Sequence, residues 1–202
     1  YQEDVQKTID KLKGKLIIKY YPTRSASVNT LASHLKQMEI QEIKPDVVIV
    51  DYADILKPTT FYKEKRHATG ETYENLRGMA GEFDIPIWTA SQANRSSLEE
   101  DVIDASKVAE DYSKVMTADF VMSVSRKVED KIANTGRVHV IKNRFGVDGI
   151  TFPANINTNT GLIEVYEAST QGGKEAQGKM DNSEEYLRQT LSKKYKDMGG
   201  FE

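Results

Sequence analysis

An aspartate stands at the end of a short apolar run in this sequence. Asp51 directly follows residues 47–50 (VVIV). If that run is a strand of an open α/β sheet, Asp51 lies at its carboxyl end, where such sheets bind ligands. A carboxylate there can hold a Mg²⁺-bound water beside the phosphates of a nucleotide. The alternative is an aspartate that only caps the strand end or the following turn.

A second apolar run, residues 85–90 (IPIWTA), ends in the same way, with Ser91 and Gln92. A glutamine at that place can hydrogen-bond a γ-phosphate or its attacking water, and can pass the loss of that bond to a loop. On its own, Gln92 is equally explained as a side chain that satisfies nearby backbone groups. Because carboxyl ends of parallel strands share one edge of a sheet, Asp51 and Gln92 together favour a common site.

Two cations end a third segment, residues 138–144 (VHVIKNR). In a strand, side chains alternate between faces, so Lys142 and Arg144 are predicted to share a face with Val138 and Val140. Such cations can neutralise charge on a phosphoryl group, and an arginine supplied by a neighbouring subunit can accelerate its transfer strongly. The alternative is a solvated strand end.

A polar, basic stretch covers residues 57–70 and is predicted to be a loop. Its cations are Lys63, Lys65 and Arg66, with Phe61 and Tyr62 beside them. Cations with aromatic neighbours can follow the backbone of a single-stranded nucleic acid. A solvated loop explains the same residues without a ligand.

The phosphate-binding motif G-x-x-x-x-G-K-[ST] does not occur in these 202 residues. Of the three Gly-Lys pairs, those at Gly14 and Gly173 lack both the preceding glycine and the Ser/Thr, and the pair at Gly178 is followed by Met180 in place of the Ser/Thr. We therefore expect weak ATP binding by the chain as given. His34, His67 and His139 show no metal-ligand spacing, and there is no cysteine for a disulfide or thiolate site.

The composition is that of a globular protein, with 38% apolar residues, 29% charged residues and a net charge of -3. No run of 18 apolar residues and no signal-peptide core is present, so we expect a cytoplasmic protein without a membrane span.

The elements that would position these side chains alternate between strand and helix, which is typical of a parallel α/β sheet. The predicted strands are residues 16–20, 46–51, 85–90 and 120–125, and the predicted helices are 27–43, capped by Ser27 or Asn29, and 71–83. A hairpin is predicted from 137–144 and 149–155, turning at 146–149, and a last strand at 162–166. Composition changes at Ala168, which predicts a domain over residues 1–167 and, over 168–202, a flexible linker with a charged tail helix at 183–194.

Three segments, in order, resemble the DnaB-type replicative DNA helicases. They are DVVIVDYADIL (46–56), LRGMAGEFDIPIWTASQANR (76–95), and ADFVMSVSR followed by GRVHVIKNRFG (118–146). The resemblance covers residues 16–166. It implies an α/β, RecA-like P-loop ATPase core with a mostly parallel sheet and a C-terminal antiparallel hairpin, truncated at its N-terminal side so that the phosphate-binding loop is missing.

The resemblance also implies roles for single residues. Asp51 would organise Mg²⁺ through a water, and Gln92 would couple the nucleotide state to DNA-binding loops. Lys142 and Arg144 would reach the nucleotide of a neighbouring subunit in a hexameric ring. Arg95 would begin a loop that faces the central channel. Because the residues after Arg95 are acidic, DNA contact is assigned mainly to the basic stretch at 63–66.

The implied cofactors of the full-length protein are ATP and Mg²⁺. The implied partners are single-stranded DNA, further copies of the chain, and primase or another replisome protein at the C-terminal tail. The implied function is the C-terminal part of a motor that unwinds duplex DNA by moving along one strand. Two alternatives stay open: a RecA/RadA- or KaiC-like ATPase, and a catalytically dead RecA-like assembly module.

Overall fold

The computed structural model describes residues 14–60, 65–93 and 113–182, together with 6–7, 11, 102, 185, 188–189 and 192; for 65 and 66 it describes the backbone only. In chain order the helices are α1 (Val28–Ile40), α2 (Lys65–Phe83), α3 (Ser113–Thr117), α4 (Val128–Ala133) and α5 (Gln171–Asp181). A 3₁₀ turn covers Ala53–Ile55. The strands are β1 (Val48–Val50), β2 (Ile87–Thr89), β3 (Phe120–Ser125), β4 (Thr135–Asn143), β5 (Thr151–Asn157) and β6 (Leu162–Val165).

Helix α1 begins where its sequence predicts. The Ser27 hydroxyl accepts a hydrogen bond from the Thr30 N–H, and the Thr30 hydroxyl accepts one from the Ser27 N–H. This reciprocal pair satisfies two backbone donors that a helix start leaves free. Leu35 and Met38 are buried, so this side of the helix faces the core. The helix ends at Ile40, three residues before the predicted end.

Strands β1 and β2 are parallel, with Val48 opposite Ile87 and Val50 opposite Thr89. Helix α2 connects them, as a parallel pair requires. The core beneath the pair is formed by residues of α1, α2 and the segment before β2: Leu35, Met38, Tyr73, Leu76, Met79, Phe83 and Ile85.

Strand β1 packs against the core with one face and, among the described residues, leaves its other face exposed. Ile49 is 74% exposed and its neighbour Trp88 is 46% exposed. Val48, Val50 and Ile87 pack against the core, and the alternation of side chains turns Ile49 and Trp88 to the other side.

The remaining strands form an antiparallel sheet in the order β3-β4-β5-β6. The predicted strands at 120–125 and 162–166 and the hairpin between 137 and 155 are confirmed, with small shifts at their ends. The expected mostly parallel sheet is wrong: of the described strands, two are parallel and four are antiparallel in a separate sheet. The connections within that second sheet are too short for a parallel crossover, which needs a dozen or more residues.

Two other predicted elements differ. Residues 16–20 form no strand, and Leu16 and Ile18 are exposed, because no described strand lies beside them to accept their backbone hydrogen bonds. Helix α2 begins at Lys65 and not at 71, so part of the predicted loop at 57–70 is helical.

The predicted linker is a helix over Gln171–Asp181. Thr170 caps it by accepting a hydrogen bond from the Gly173 N–H at 3.1 Å. Gly173, Ala176 and Met180 are buried against the antiparallel sheet. The glycines that indicated a linker allow close packing: a Cβ on Gly172 would lie 2.7 Å from the Tyr166 ring. The predicted tail helix at 183–194 falls mostly outside the described residues. Within the part of the chain that the structure describes, no helix is both long and apolar enough to span a membrane.

Candidate active site

The structure brings Asp51 and Gln92 to the same edge of the parallel pair. Asp51 directly follows β1 and is exposed, and Gln92 follows β2. The Gln92 Nε2 donates a hydrogen bond to the hydroxyl of Tyr52 at 3.2 Å. Tyr52 is the residue next to Asp51, so one hydrogen bond joins the two strand ends that carry the predicted side chains.

A threonine fixes the turn after β1. The Thr89 hydroxyl donates to the Val50 carbonyl at 2.9 Å and accepts from the Ala53 N–H at 2.9 Å. Ala53 is fully buried. The 3₁₀ turn that follows Asp51 is therefore held against the end of β2, which limits how far Asp51 and Gln92 can move apart.

Behind this edge lies a polar cluster of four residues, Asp54, Tyr73, Ser91 and Lys114, which we call the Asp54 cluster. The Asp54 Oδ1 accepts from the Tyr73 hydroxyl at 2.9 Å and lies 3.0 Å from the Lys114 Nζ. The Asp54 Oδ2 accepts from the Ser91 hydroxyl at 3.0 Å, and Lys114 also donates to Ser91 at 3.0 Å. Every member thus bonds to at least one other member.

The Asp54 cluster is mostly withdrawn from water, and Ser91 is its exposed member. The side chain of Lys114 is 4% exposed and that of Asp54 is 18% exposed. The Lys114 Nζ also lies 5.5 Å from the centroid of the Tyr73 ring, in a cation–π arrangement. Burial, and then the Asp54 carboxylate, raise the pKa of the Tyr73 hydroxyl, so Tyr73 keeps its proton and donates a hydrogen bond to Asp54.

Lys142 lies at the end of β4 and is held by helix α3. Its Nζ donates to the carbonyl oxygens of Val115 at 3.0 Å and Met116 at 2.8 Å. The register between β3 and β4 shifts just before Lys142: Val121 pairs with Lys142, but Met122 pairs with Val140. This one-residue bulge interrupts the alternation, so the predicted common face of Val140 and Lys142 is not maintained.

Arg144 forms an ion pair with Asp119, whose Oδ1 lies 2.6 Å from the Arg144 Nη1. The same oxygen lies 3.0 Å from the Nη2 of Arg77 on α2, and Arg77 also donates to the Thr117 carbonyl. The side chain of Arg144 is 48% exposed. An ion pair that is partly open to solvent contributes little free energy, so another anion can replace Asp119 as the partner of Arg144.

Several residues that shape this region were not predicted from the sequence. Asp54 stands three positions after Asp51, inside a segment that carries the family resemblance, but that resemblance gave it no role. The roles of Tyr73, Arg77, Lys114 and Asp119 follow only from contacts between distant segments. The predicted DNA-binding side chains Lys63, Lys65, Arg66 and Arg95 lie outside the described residues.

The residues present fit a Mg²⁺ ion that arrives with a nucleotide. No group of three or more His, Asp or Glu side chains in the described ranges could hold a metal alone. Asp51 offers one exposed carboxylate, which suits an ion that takes most of its ligands from water and phosphates. Asp54 is unsuited, because both of its oxygens are engaged within the Asp54 cluster.

Comparison with known protein families identifies the family of this chain. The family model of the DnaB-like helicase C-terminal domain matches residues 2–157. The chain belongs to this family. The resemblance read from the three segments is confirmed, and the RecA/RadA- and KaiC-like alternatives are set aside.

A DnaB-like replicative helicase of Enterobacteria phage T4 is 33% identical to this DnaB-like chain over 137 residues, which are 66% of the chain and 29% of the phage protein. The chain thus spans less than a third of the length of that relative.

Two solved structures share the fold. One is an ATPase domain, which superposes with a TM-score of 0.62 at 22% identity, over 70% of this chain and 52% of that domain. The other is a DnaB-like replicative helicase, described with its interactions with primase, which superposes with a TM-score of 0.59 at 23% identity, over 70% and 36% of the two chains. The chain therefore has the fold of a DnaB-like, RecA-like ATPase domain.

Proposed function

We propose that this chain is the C-terminal part of the ATP-driven motor of a hexameric replicative DNA helicase, which unwinds duplex DNA by moving along one strand. The proposal rests on one observation. Asp51 and Gln92 lie at the same edge of the parallel pair, and Gln92 donates a hydrogen bond to Tyr52, the residue next to Asp51. Membership of the DnaB-like family supports it. The phosphate-binding loop would come from another part of the full-length protein.

At this edge the chain would act on its own subunit's nucleotide. Asp51 would accept hydrogen bonds from a Mg²⁺-bound water, and the ion would offset the charge of the phosphates. Gln92 would face the γ-phosphate while its amide donates to Tyr52. Ser91, the residue before Gln92, donates a hydrogen bond to Asp54. A movement of Gln92 would therefore displace side chains in the packed interior of the domain.

Lys142 and Arg144 would act on the nucleotide of the neighbouring subunit. The role fits Arg144 best, since its side chain is half exposed and, among the described residues, its guanidinium pairs with one partly exposed carboxylate, that of Asp119. An approaching phosphate, with more negative charge than Asp119, would compete for its guanidinium. Hydrolysis would then depend on ring assembly.

Single-stranded DNA would be bound by Lys63, Lys65, Arg66 and Arg95, as their charge and aromatic neighbours indicate. Contact with primase would use the C-terminal tail; a solved relative is described with its interactions with primase. The protein would act in the cytoplasm, that of the host if a phage encodes it.

The test is ATP hydrolysis by the full-length protein with and without single-stranded DNA. We expect hydrolysis that DNA stimulates, and we expect Asp51→Asn to reduce it by about a hundredfold or more, the size of effect seen when one group that stabilises transition-state charge is removed. Asp46→Asn, at the other end of the same apolar run, is the matched control and should keep full turnover.

A catalytically dead assembly module is the second candidate, because the 202 residues lack the motif G-x-x-x-x-G-K-[ST]. A wild-type protein that forms rings but neither binds nor hydrolyses ATP would favour that candidate over the motor.

A further inference from the structure

Lys114 is a buried lysine whose partners come from three separate elements. Its ammonium contacts Asp54 in the turn after β1, Ser91 in the segment after β2, and the ring face of Tyr73 on α2. The side chain is 4% exposed. Ser91 immediately precedes Gln92, and Asp54 closely follows Asp51. The side chain of Lys114 is thus fixed to both strand ends of the proposed nucleotide site.

The backbone next to Lys114 is fixed to the other half of the site. The two residues that follow it, Val115 and Met116, offer the carbonyl oxygens that hold the Nζ of Lys142. Thr117, at the end of the same helix, accepts a hydrogen bond from Arg77, which shares Asp119 with Arg144. One turn of helix α3 therefore contacts both groups of proposed catalytic side chains.

From these contacts we propose that Lys114 is a positioning residue. It holds the sheet edge that carries Asp51 and Gln92 at a fixed position relative to Lys142 and Arg144. This inference rests on the proposed function. A change at Gln92 would reach Ser91, pass through the Lys114 ammonium to α3, and shift the carbonyl oxygens that hold Lys142. The side chain that senses nucleotide in one subunit would then help to orient the cations that face the next subunit.

The chemistry of the cluster explains why a lysine suits this place. An ammonium has three donors and no acceptor, so it can serve a carboxylate and a hydroxyl at once. A buried ion pair adds little net stability compared with an apolar pair. Its effect here would be to hold the surrounding side chains in one defined conformation. A methionine of similar length would fill the space without directing Asp54 or Ser91.

The experiment compares three variants of the full-length protein with the wild type. Lys114→Met removes the ammonium, and Lys114→Met with Asp54→Asn also removes the carboxylate that would otherwise stay buried without a counter-charge. Lys36→Met is the control, because Lys36 pairs with Glu82 at 2.8 Å but lies on the surface. We would measure kcat and KM for ATP, normalised to bound nucleotide, together with the melting temperature.

We expect the double variant to melt close to the wild type yet to turn over about ten- to a hundredfold more slowly, with KM for ATP changed by less than about threefold. Lys36→Met should match the wild type. If the double variant regains kcat within about twofold of the wild type, Lys114 has a structural role only and the inference is wrong.

Hydrogen exchange of the same proteins tests the inference without relying on activity. We expect Lys114→Met to speed exchange at the amides next to Gln92 and next to Lys142, as well as in α3 itself. Faster exchange confined to α3 would overturn the inference. A wild-type protein that never hydrolyses ATP would instead contradict the proposed function, and the exchange result would then still decide whether Lys114 connects the two regions.

Discussion

The ammonium of Lys114 lies 3.0 Å from the carboxylate of Asp54, and both side chains are mostly buried. The two residues belong to segments far apart in the sequence, and Ser91, from a third segment, bonds to both. This pair lies directly behind the edge that carries Asp51 and Gln92. The proposed nucleotide site is therefore supported from the protein interior by a set of charge-assisted hydrogen bonds.

Arg144→Ala in the full-length protein should reduce ATP hydrolysis by about a thousandfold or more while nucleotide binding stays near normal, because a trans-acting arginine stabilises charge in the transition state. Arg188→Ala is the control, since Arg188 is an exposed arginine of the C-terminal tail and, among the described residues, contacts none of the proposed catalytic residues. It should retain turnover. The measurements are steady-state hydrolysis and equilibrium nucleotide binding, and normal turnover in Arg144→Ala would remove the assignment.

Tyr52→Phe should weaken the stimulation of hydrolysis by single-stranded DNA. The variant loses the hydroxyl that accepts from Gln92 at 3.2 Å, and one such bond corresponds to about a fivefold effect. Tyr166→Phe loses an equivalent bond, from Asn155 at 3.2 Å, on the other sheet and should leave stimulation unchanged. The measured quantity is the ratio of hydrolysis rates with and without DNA. Equal ratios in both variants would argue against Gln92 as a sensor held by Tyr52.

The free energy of unfolding should fall at alkaline pH, because the folded protein keeps Tyr73 protonated. Because burial and Asp54 raise the pKa of its hydroxyl above the ordinary 10.0, the folded protein keeps the proton after unfolded Tyr73 has lost it. The resulting stability is complete below pH 10 and declines as pH rises toward the folded pKa. Melting temperatures across this range should fall more steeply for the wild type than for Tyr73→Phe. Parallel curves would contradict the raised pKa.

Neutralising Lys63, Lys65 and Arg66 together should weaken binding to single-stranded DNA and flatten its salt dependence. Each lost phosphate contact lowers the slope of log K against log salt concentration by about 0.7, so three contacts correspond to about 2. Lys174→Gln with Lys179→Gln, on the exposed side of α5, serves as a charge-change control. An unchanged slope in the triple variant would exclude these residues from the DNA path, and Arg95→Gln would then be the next candidate.

The local sequence determined much of this protein. Apolar runs ending in Asp51 and in Ser91-Gln92 predicted two strands with a shared polar edge, and the structure has both. Ser27 is one of the two predicted caps, and the hairpin of 137–144 with 149–155 and the family itself were also predicted correctly. These features depend on neighbours in the chain, on the alternation of side chains and on short motifs, all of which the sequence displays directly.

Contacts between distant segments were decided only by the tertiary structure. Nothing near Lys114 in the sequence indicates that it is buried beside Asp54, because burial depends on which elements pack over it. Composition suggested a linker at 171–181, but its small residues pack closely against the antiparallel sheet. The segment at 16–20 has the composition of a strand, yet a strand needs a partner for its backbone, and pairing is a property of the whole fold.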